Sequence, residues 1–333
     1  MIFNHFHDAY LYTLAEVYHK PQFYNQPRGN RSREVLNYTY GIESPIERIC
    51  YVPERKTNII FNFAEALWYL SGSNNLDFIH YYASNMSKYS ADGRTLTGTA
   101  YEPKLFAYGD KHLNQWERIK EVLREDPDSK RAFLSIFDAS EVLQLENIDV
   151  SCTIGLQFFI REDQLYMSSY MRANDAYRGM LSDVFSFTFL QELMATELGL
   201  EVGKYYHNVA SVHIYETDYV QTKTVLSKAK QIGTVPAYPF PPMPLKDNRS
   251  DLQVVFEYEQ QLRQGTITLE PVDIDRLDID DYWKQVILLF AVYQSIQQKQ
   301  VIDHALYQKL IPLYQMLVQQ KWESYFSIIM EEM

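Results

Sequence analysis

The chain has 333 residues, 46% of them hydrophobic and 15% aromatic, with 27 tyrosines and a formal charge of −12. This is ample material for a packed core and excludes a disordered chain. A surface this acidic repels phosphate backbones, which excludes a general nucleic-acid binder but leaves room for a local basic pocket around one small phosphate.

Residues 5–19 (HFHDAYLYTLAEVYH) read as an amphipathic helix. Residues 21–35 read as a loop carrying three arginines, Arg28, Arg31 and Arg33. A buried helix follows over 58–72, with Gly72 as its C-cap residue. Residues 92–101 (DGRTLTGTAY) read as loop, 114–126 as a helix, and DPDS then turns the chain. Three strand signals come next, over 131–139, 152–161 and 164–173, and the short turn REDQ joins the last two as a hairpin. A helix over 182–200 precedes a strand-like stretch at 205–219. The proline-rich segment 237–251 reads as a surface connection. The tail from Asp280 is helical, and a further helical run around 310–318 contains Pro312, which kinks it or marks its first turn. The expected division is a catalytic domain over 1–240 with a mostly helical extension, 241–333, packed on it.

The two cysteines, Cys50 and Cys152, lack metal-site spacing, and the eight histidines do not gather around them. We expect no metal and a reducing, cytoplasmic setting. The first residues carry polar and charged side chains where a signal peptide has a clean apolar run. No stretch approaches the roughly 18 uninterrupted apolar residues of a membrane span.

A lone cysteine is by itself most simply a packed thiol. Cys152 has informative neighbours, however: Arg172-Ala173-Asn174-Asp175 and then Gly179 and Asp183. Arg172 and Arg131 fall on adjacent expected strands, where they either stabilise a thiolate or hold a substrate phosphate. Cys50 and the charged face of WERIKEVLRED carry no such company and read as a packed thiol and a solvated helix surface.

Taken in order, these motifs resemble the thymidylate synthase superfamily: a strand with a cysteine nucleophile (Cys152), a glutamine five residues on (Gln157), an Arg-Ser-x-Asp (here Arg172 to Asp175) and a Gly-x-x-x-Asn (here Gly179 to Asp183). DPDSKR is similar to the turn whose two basic residues, here Lys130 and Arg131, reach across a homodimer to the partner's nucleotide phosphate. HIY resembles the His-x-Tyr that holds the sugar, placing His213 and Tyr215 there. The helix AEALWYLSG puts Glu65 on the family's catalytic glutamate, TGTAY puts Tyr101 on its active-site tyrosine, and Arg31, ten residues before Gly41, falls on its mobile phosphate-binding arginine. The resemblance covers residues 5 to about 220. It implies an α+β fold with a large mixed sheet flanked by helices, and a nucleoside monophosphate substrate. It also implies 5,10-methylenetetrahydrofolate as cosubstrate, faced by Asp175, Gly179 and Glu65. Thiolate attack at C6 turns a pyrimidine C5 into a carbon nucleophile, which is covalent catalysis, and Glu65 with Tyr101 organises the proton transfers.

The departures carry further information. Thymidylate synthases have asparagine where this chain has Asp183. Asparagine donates to uracil O4 and accepts from N3–H, whereas aspartate accepts from the cytosine amino group. Asp183 resembles the cytidylate hydroxymethylase branch, whose members serve nucleoside-antibiotic pathways and phage DNA modification. The competing reading makes Asp183 an ordinary helix N-cap. Thr153 replaces a histidine, and Tyr89 sits near the place of a tryptophan that fences the intermediate, which suits attack by water. Ala173 replaces a phosphate-binding serine and Lys130 an arginine, which points to the ribonucleotide CMP ahead of dCMP. The alternatives are a methylase of a uracil nucleotide and an inactive nucleotide-binding homologue.

Overall fold

The computed structural model describes residues 1–143, 145–230, 238–298 and 302–326. Its strands are β1 (Ile2–Phe3), β2 (Phe23–Asn25), β3 (Ser32–Ile42), β4 (Phe133–Ser135), β5 (Thr153–Arg161), β6 (Gln164–Met171), β7 (Asn174–Asp175) and β8 (Glu201–Tyr215). They form one sheet in the order β1-β3-β8-β6-β5-β4, with β2 added to β3 and β7 to β8. β8 runs antiparallel to β3 and parallel to β6, so the sheet is mixed, as expected. The helices are α1 (Phe6–His19), α2 (Ile59–Trp68), α3 (Leu76–Tyr82), α4 (Glu102–Phe106), α5 (Gln115–Glu125), α6 (Gly179–Leu198) and α7 (Tyr219–Ala229), followed by the C-terminal set α8 (Arg249–Gln264), α9 (Pro271–Asp275), α10 (Asp281–Gln297), α11 (His304–Lys309) and α12 (Pro312–Lys321). None of the described helices is long and apolar enough to cross a membrane.

Local chemistry explains most of the boundaries. Glu162 and Asp163 take φ of 52° and 58°, the paired left-handed residues of a two-residue turn whose twist matches the strands, and β5 and β6 pair on either side of it. Asn114 caps α5 by accepting the Glu117 N–H at 3.0 Å, and Asp280 caps α10 at Tyr282. Pro312 occupies the first turn of α12, where its missing N–H costs nothing. The proline-rich connection is described from Tyr238 onward, Ala237 lying outside the described residues.

Several expectations are corrected. α2 stops at Trp68 instead of running to Gly72: the N–H groups of Leu70 and Ser71 bond carbonyls three residues back, and Gly72 closes the turn at φ 79°. The stretch read as a loop over 21–35 contains β2 and the start of β3. In β3 the left-handed Asn37 shifts the buried set from Val35 to Tyr38 and Tyr40, which breaks the alternation that would have announced a strand. The strand expected over 131–139 is confined to Phe133–Ser135. α6 begins at Gly179, three residues earlier than expected, so Asp183 stands in its second turn and is not its N-cap.

α6 is buried almost all round, as a helix enclosed by other layers must be. The sheet covers one side and α2 packs against it. Phe63 of α2 joins this core to the C-terminal helices. Its ring contacts Phe185 and Phe189 of α6 at 5.1 and 6.2 Å, Phe240 at 6.3 Å, Tyr282 at 6.3 Å and Tyr314 at 5.9 Å. Two carboxylates pin the connection: Glu47 accepts the Phe240 N–H at 3.1 Å, and Glu192, ion-paired with buried Arg48, accepts that of Met243 at 2.7 Å. Truncating Phe63 to alanine removes contacts on both sides of this junction, and we expect a loss of about 3–5 kcal/mol, read by urea denaturation. A loss below about 1 kcal/mol would show that Phe63 is not the shared anchor.

Candidate active site

Cys152 stands immediately before β5 and Arg172 immediately after β6, and the Arg172 N–H donates to the Cys152 carbonyl at 2.8 Å. The guanidinium folds back over this strand end. Nε donates to Ser151 O and Nη2 to Val150 O, both at 2.8 Å, and Nη2 lies 3.7 Å from the Cys152 sulfur. Burial pushes the Cys152 thiol up from its ordinary range, while the Arg172 and Arg28 charges pull it down.

The loop bearing Tyr101 is clamped onto the segment that leads into Cys152. The Asp149 carboxylate accepts the N–H groups of Thr97, Gly98 and Thr99 at 2.7, 2.8 and 3.0 Å, and the Ser151 hydroxyl donates to Gly98 O at 2.7 Å. A Cβ at residue 98 would sit 2.1 Å from the Asp149 carbonyl oxygen, so only glycine fits. Lys104, paired with Glu141, also donates to the Ser151 hydroxyl at 2.6 Å. Tyr101 is thereby held with its hydroxyl 2.8 Å from Thr153 Oγ1 and its ring stacked on Tyr69 at 4.4 Å.

Glu65 lies one α2 turn before Trp68 and is buried against α6, where Ser186 donates to its Oε2 at 3.0 Å. Asp183 is three residues before Ser186 and so shares that face of α6. The two carboxyls repel ionisation. Burial first and the Asp183 charge second push Glu65 up to about 8, against hydrogen bonds from Ser186 and Ser182. Burial likewise pushes Asp183 up to about 7, against a 2.6 Å hydrogen bond donated by the Asn174 amide. Gly179 makes room for this contact, because a Cβ there would come within 3.1 Å of Asp183 Oδ2 and 3.4 Å of Asn174 Nδ2.

Asp175 accepts the N–H groups of Tyr177 and Arg178 through Oδ1, each at 2.9 Å, which leaves Oδ2 without a partner among the described residues. Asp175 pairs across β7 and β8 with His213, whose ring meets that of Tyr215 edge-on at 4.9 Å. Both rings are half-buried, as is Ala173. Tyr89 is near enough to act on the ionisation of Tyr215 and Arg178.

The arginines divide differently from the sequence reading. Arg31 is exposed, with its carbonyl taken by the Glu216 N–H at 2.8 Å. Arg28, left unassigned within its loop, is the one whose charge reaches both Cys152 and Tyr215; it adopts φ 49° beside Gly29. Lys130, Arg131 and Gln157 are not brought to the Cys152 cluster within this chain. Gln157 lies five residues along an extended strand, about 16 Å away. Its amide donates to the Lys130 carbonyl at 2.9 Å and it accepts from the Tyr170 hydroxyl at 3.0 Å, on the less buried face of the sheet. Lys130 and Arg131 are exposed. Sequence reasoning also missed Asn174, Asp149 and His207, a buried histidine whose Nε2 lies 3.0 Å from Asn174 Oδ1. The one available sign for His207 was its place in register with Tyr205 and Val209 along β8.

A mixed sheet that delivers a cysteine and an arginine from neighbouring strand ends, against a buried glutamate on a helix, defines a known class. The family model described as thymidylate synthase matches residues 8–269, and the chain belongs to that family. The match continues past residue 220 and into α8. Three phage proteins named deoxyuridylate hydroxymethyltransferase are similar to it. That of Bacillus phage SP01 is 32% identical over 205 residues, 58% of this chain and 53% of its own length. That of Delftia phage PhiW-14 is 28% identical over 304 residues, 87% and 80% of the two chains. That of Pseudomonas phage M6 is 29% identical over 238 residues, 68% and 64%. The alignment thus spans about half the length of the first of these relatives.

Because the folded chain holds protons on Glu65 and Asp183 that the unfolded chain has released, this pair stabilises the fold fully below the ordinary carboxyl range. The contribution is lost as pH rises through about 7 and 8. We expect denaturation free energies to fall across that window in the wild type and less steeply in Asp183→Asn. Parallel profiles for the two proteins would contradict the pairing.

Proposed function

We propose that this chain is a folate-dependent 5-hydroxymethyltransferase acting on a cytidine monophosphate. The observation that carries the reading is Asp183: it is no helix cap, its Oδ2 is engaged as an acceptor, and it lies near enough to Glu65 for its charge to raise that carboxyl. An acceptor at this position takes the cytosine 4-amino group, and a proton shared between the carboxyl and the ring satisfies N3. Burial already favours a bound proton there.

In this reading Cys152 attacks C6 with Arg172 offsetting the charge on its sulfur, and Tyr101 and Glu65 manage the proton at C5. 5,10-Methylenetetrahydrofolate supplies the one-carbon unit when bound, and Asp175 fits it, since its unpartnered Oδ2 suits a ring N–H. Glu65 and Gly179 border that side. Loss of tetrahydrofolate and of the C5 proton leaves a methylene on C5; water adds there as the Cys152 sulfur leaves C6, and in this reading Tyr89 replaces a larger fence. His213 and Tyr215 hold the sugar, and Arg28 joins Arg31 and Arg172 as phosphate partners. Lys130 and Arg131 reach a partner subunit's phosphate in a homodimer built on the less buried sheet face, which carries Gln157 and Tyr170 and exposes Phe133 and Ile154. Residues 1–240 form the catalytic part and 241–333 a helical extension on it. Ala173 and Lys130 favour CMP over dCMP.

The names of the phage relatives favour a second reading, with deoxyuridylate as acceptor. An aspartic acid that keeps its own proton donates to uracil O4, so the raised Asp183 pKa permits it.

The test is incubation of CMP, dCMP, UMP and dUMP with the folate, read by mass spectrometry. A gain of CH2O on a cytidylate supports the first reading; the same gain on a uridylate alone establishes the second. A gain of CH2 would make the chain a methylase. Glu65→Gln should cost about 10²–10⁴-fold in kcat. Asp183→Asn should lower kcat/KM for the cytidylate by about 10²-fold or more, with uridylate gaining.

A further inference from the structure

Behind Asp183 runs a chain of buried polar groups that no step above uses. Asn174 and His207 are 3% and 0% exposed. Asn174 Nδ2 lies 2.6 Å from Asp183 Oδ2, and its Oδ1 lies 3.0 Å from His207 Nε2. On the far side of the ring, His207 Nδ1 lies 2.7 Å from the Tyr205 hydroxyl and 3.0 Å from that of Ser169. Burial with no acidic partner pushes His207 down to about 3, so the imidazole is neutral and carries a single N–H.

That single proton decides the direction of every bond in the chain. An amide oxygen only accepts, whereas either hydroxyl is able to donate. With the amide oxygen of Asn174 facing His207, the proton sits on Nε2, and Nδ1 accepts from Tyr205 or Ser169. The Asn174 N–H then necessarily points at Asp183. Reversing the amide would turn its oxygen toward Asp183, and that carboxyl would have to keep a proton in order to donate. The other groups around Asp183 do not fix its state by donation: Glu65, Asp175 and Cys152 act on it only as potential negative charges, as do the hydroxyls of Tyr40, Tyr69, Tyr101 and Tyr205. Among the described residues Asn174 supplies the one hydrogen bond that Asp183 accepts.

We propose that His207 is a specificity-determining positioning residue: its neutral Nε2–H form orients Asn174 so that Asp183 presents an acceptor to the base. This rests on the reading of Asp183 as the base-recognition group. His207→Phe keeps a flat ring but leaves the Asn174 amide free to reverse. His207→Gln keeps an N–H where Nε2 was and serves as the conservative rescue.

The experiment has two arms. In the first, kcat/KM is measured for cytidylates and uridylates with the wild type and both variants, with thermal melts to confirm folding. His207→Phe should lower the cytidylate-to-uridylate ratio by roughly 10- to 100-fold, the worth of one misdirected buried hydrogen bond, and His207→Gln should restore most of it. An unchanged ratio in a folded His207→Phe protein overturns the proposal. In the second arm, ¹⁵N NMR of histidine-labelled wild type should show the His207 ring in the neutral Nε2–H form, with no titration between about pH 5 and 8. A neutral Nδ1–H ring, or a ring that titrates there, overturns it without reference to turnover. If the wild type converted no nucleotide, the reading of function would fall, and the NMR arm would still decide the relay.

Discussion

Glu65 on α2 is buried and Asp183 on α6 is half-buried, near enough that the Asp183 charge raises Glu65, and among the described residues no cation lies against either. Isolated carboxylates do not survive burial at full charge, so such a site needs either donors or retained protons. The structure supplies both, and much of its architecture serves them. α6 brings Ser182 and Ser186 around with Asp183 on one helical face, β7 brings Asn174, and β8 brings His207 behind it. Burial is the largest cause of the rise at both carboxyls.

The cysteine end of the site is built on the opposite strategy. Cys152 is linked to a permanent positive charge through Arg172, which is itself fixed by two backbone carbonyls. A guanidinium held this way has little freedom left to lose on meeting a substrate. One part of the site therefore favours bound protons, while at the other Arg172 works against the burial that raises the Cys152 thiol.

How much of this was legible in the sequence follows from how far apart the partners lie. Cys152, Arg172, Asp175, Gly179 and Asp183 belong to one strand–turn–strand–helix run, so their order and spacing could be read directly, and the REDQ turn announced the hairpin between them. Glu65 and Ser186 meet across 121 positions, and nothing local in either segment points to the other. Family resemblance supplied Glu65; no pattern supplied Asn174 or His207, because a buried polar residue in a strand looks like any other member of the alternation. The helix α8 was missed because its buried stripe of Leu252, Val255 and Leu262 includes Glu259, which is satisfied by Arg263 one turn on and by the distant Tyr82 hydroxyl. The N-cap reading of Asp183 failed because α6 starts without a side-chain cap, at a glycine that is there to leave space.

The three amide hydrogens that Asp149 gathers, with the Ser151 and Lys104 bonds beside them, join the tyrosine loop to the cysteine strand as one body. Such a body has no internal hinge. Any change of shape at this end must therefore come from segments that are not tied to it, such as the arginine loop Pro27–Gly29, which is exposed and holds Arg28 at φ 49°. No hydrogen bond or ion pair among the described residues ties that loop to the clamp, so its position and the geometry at the sulfur are set by separate contacts.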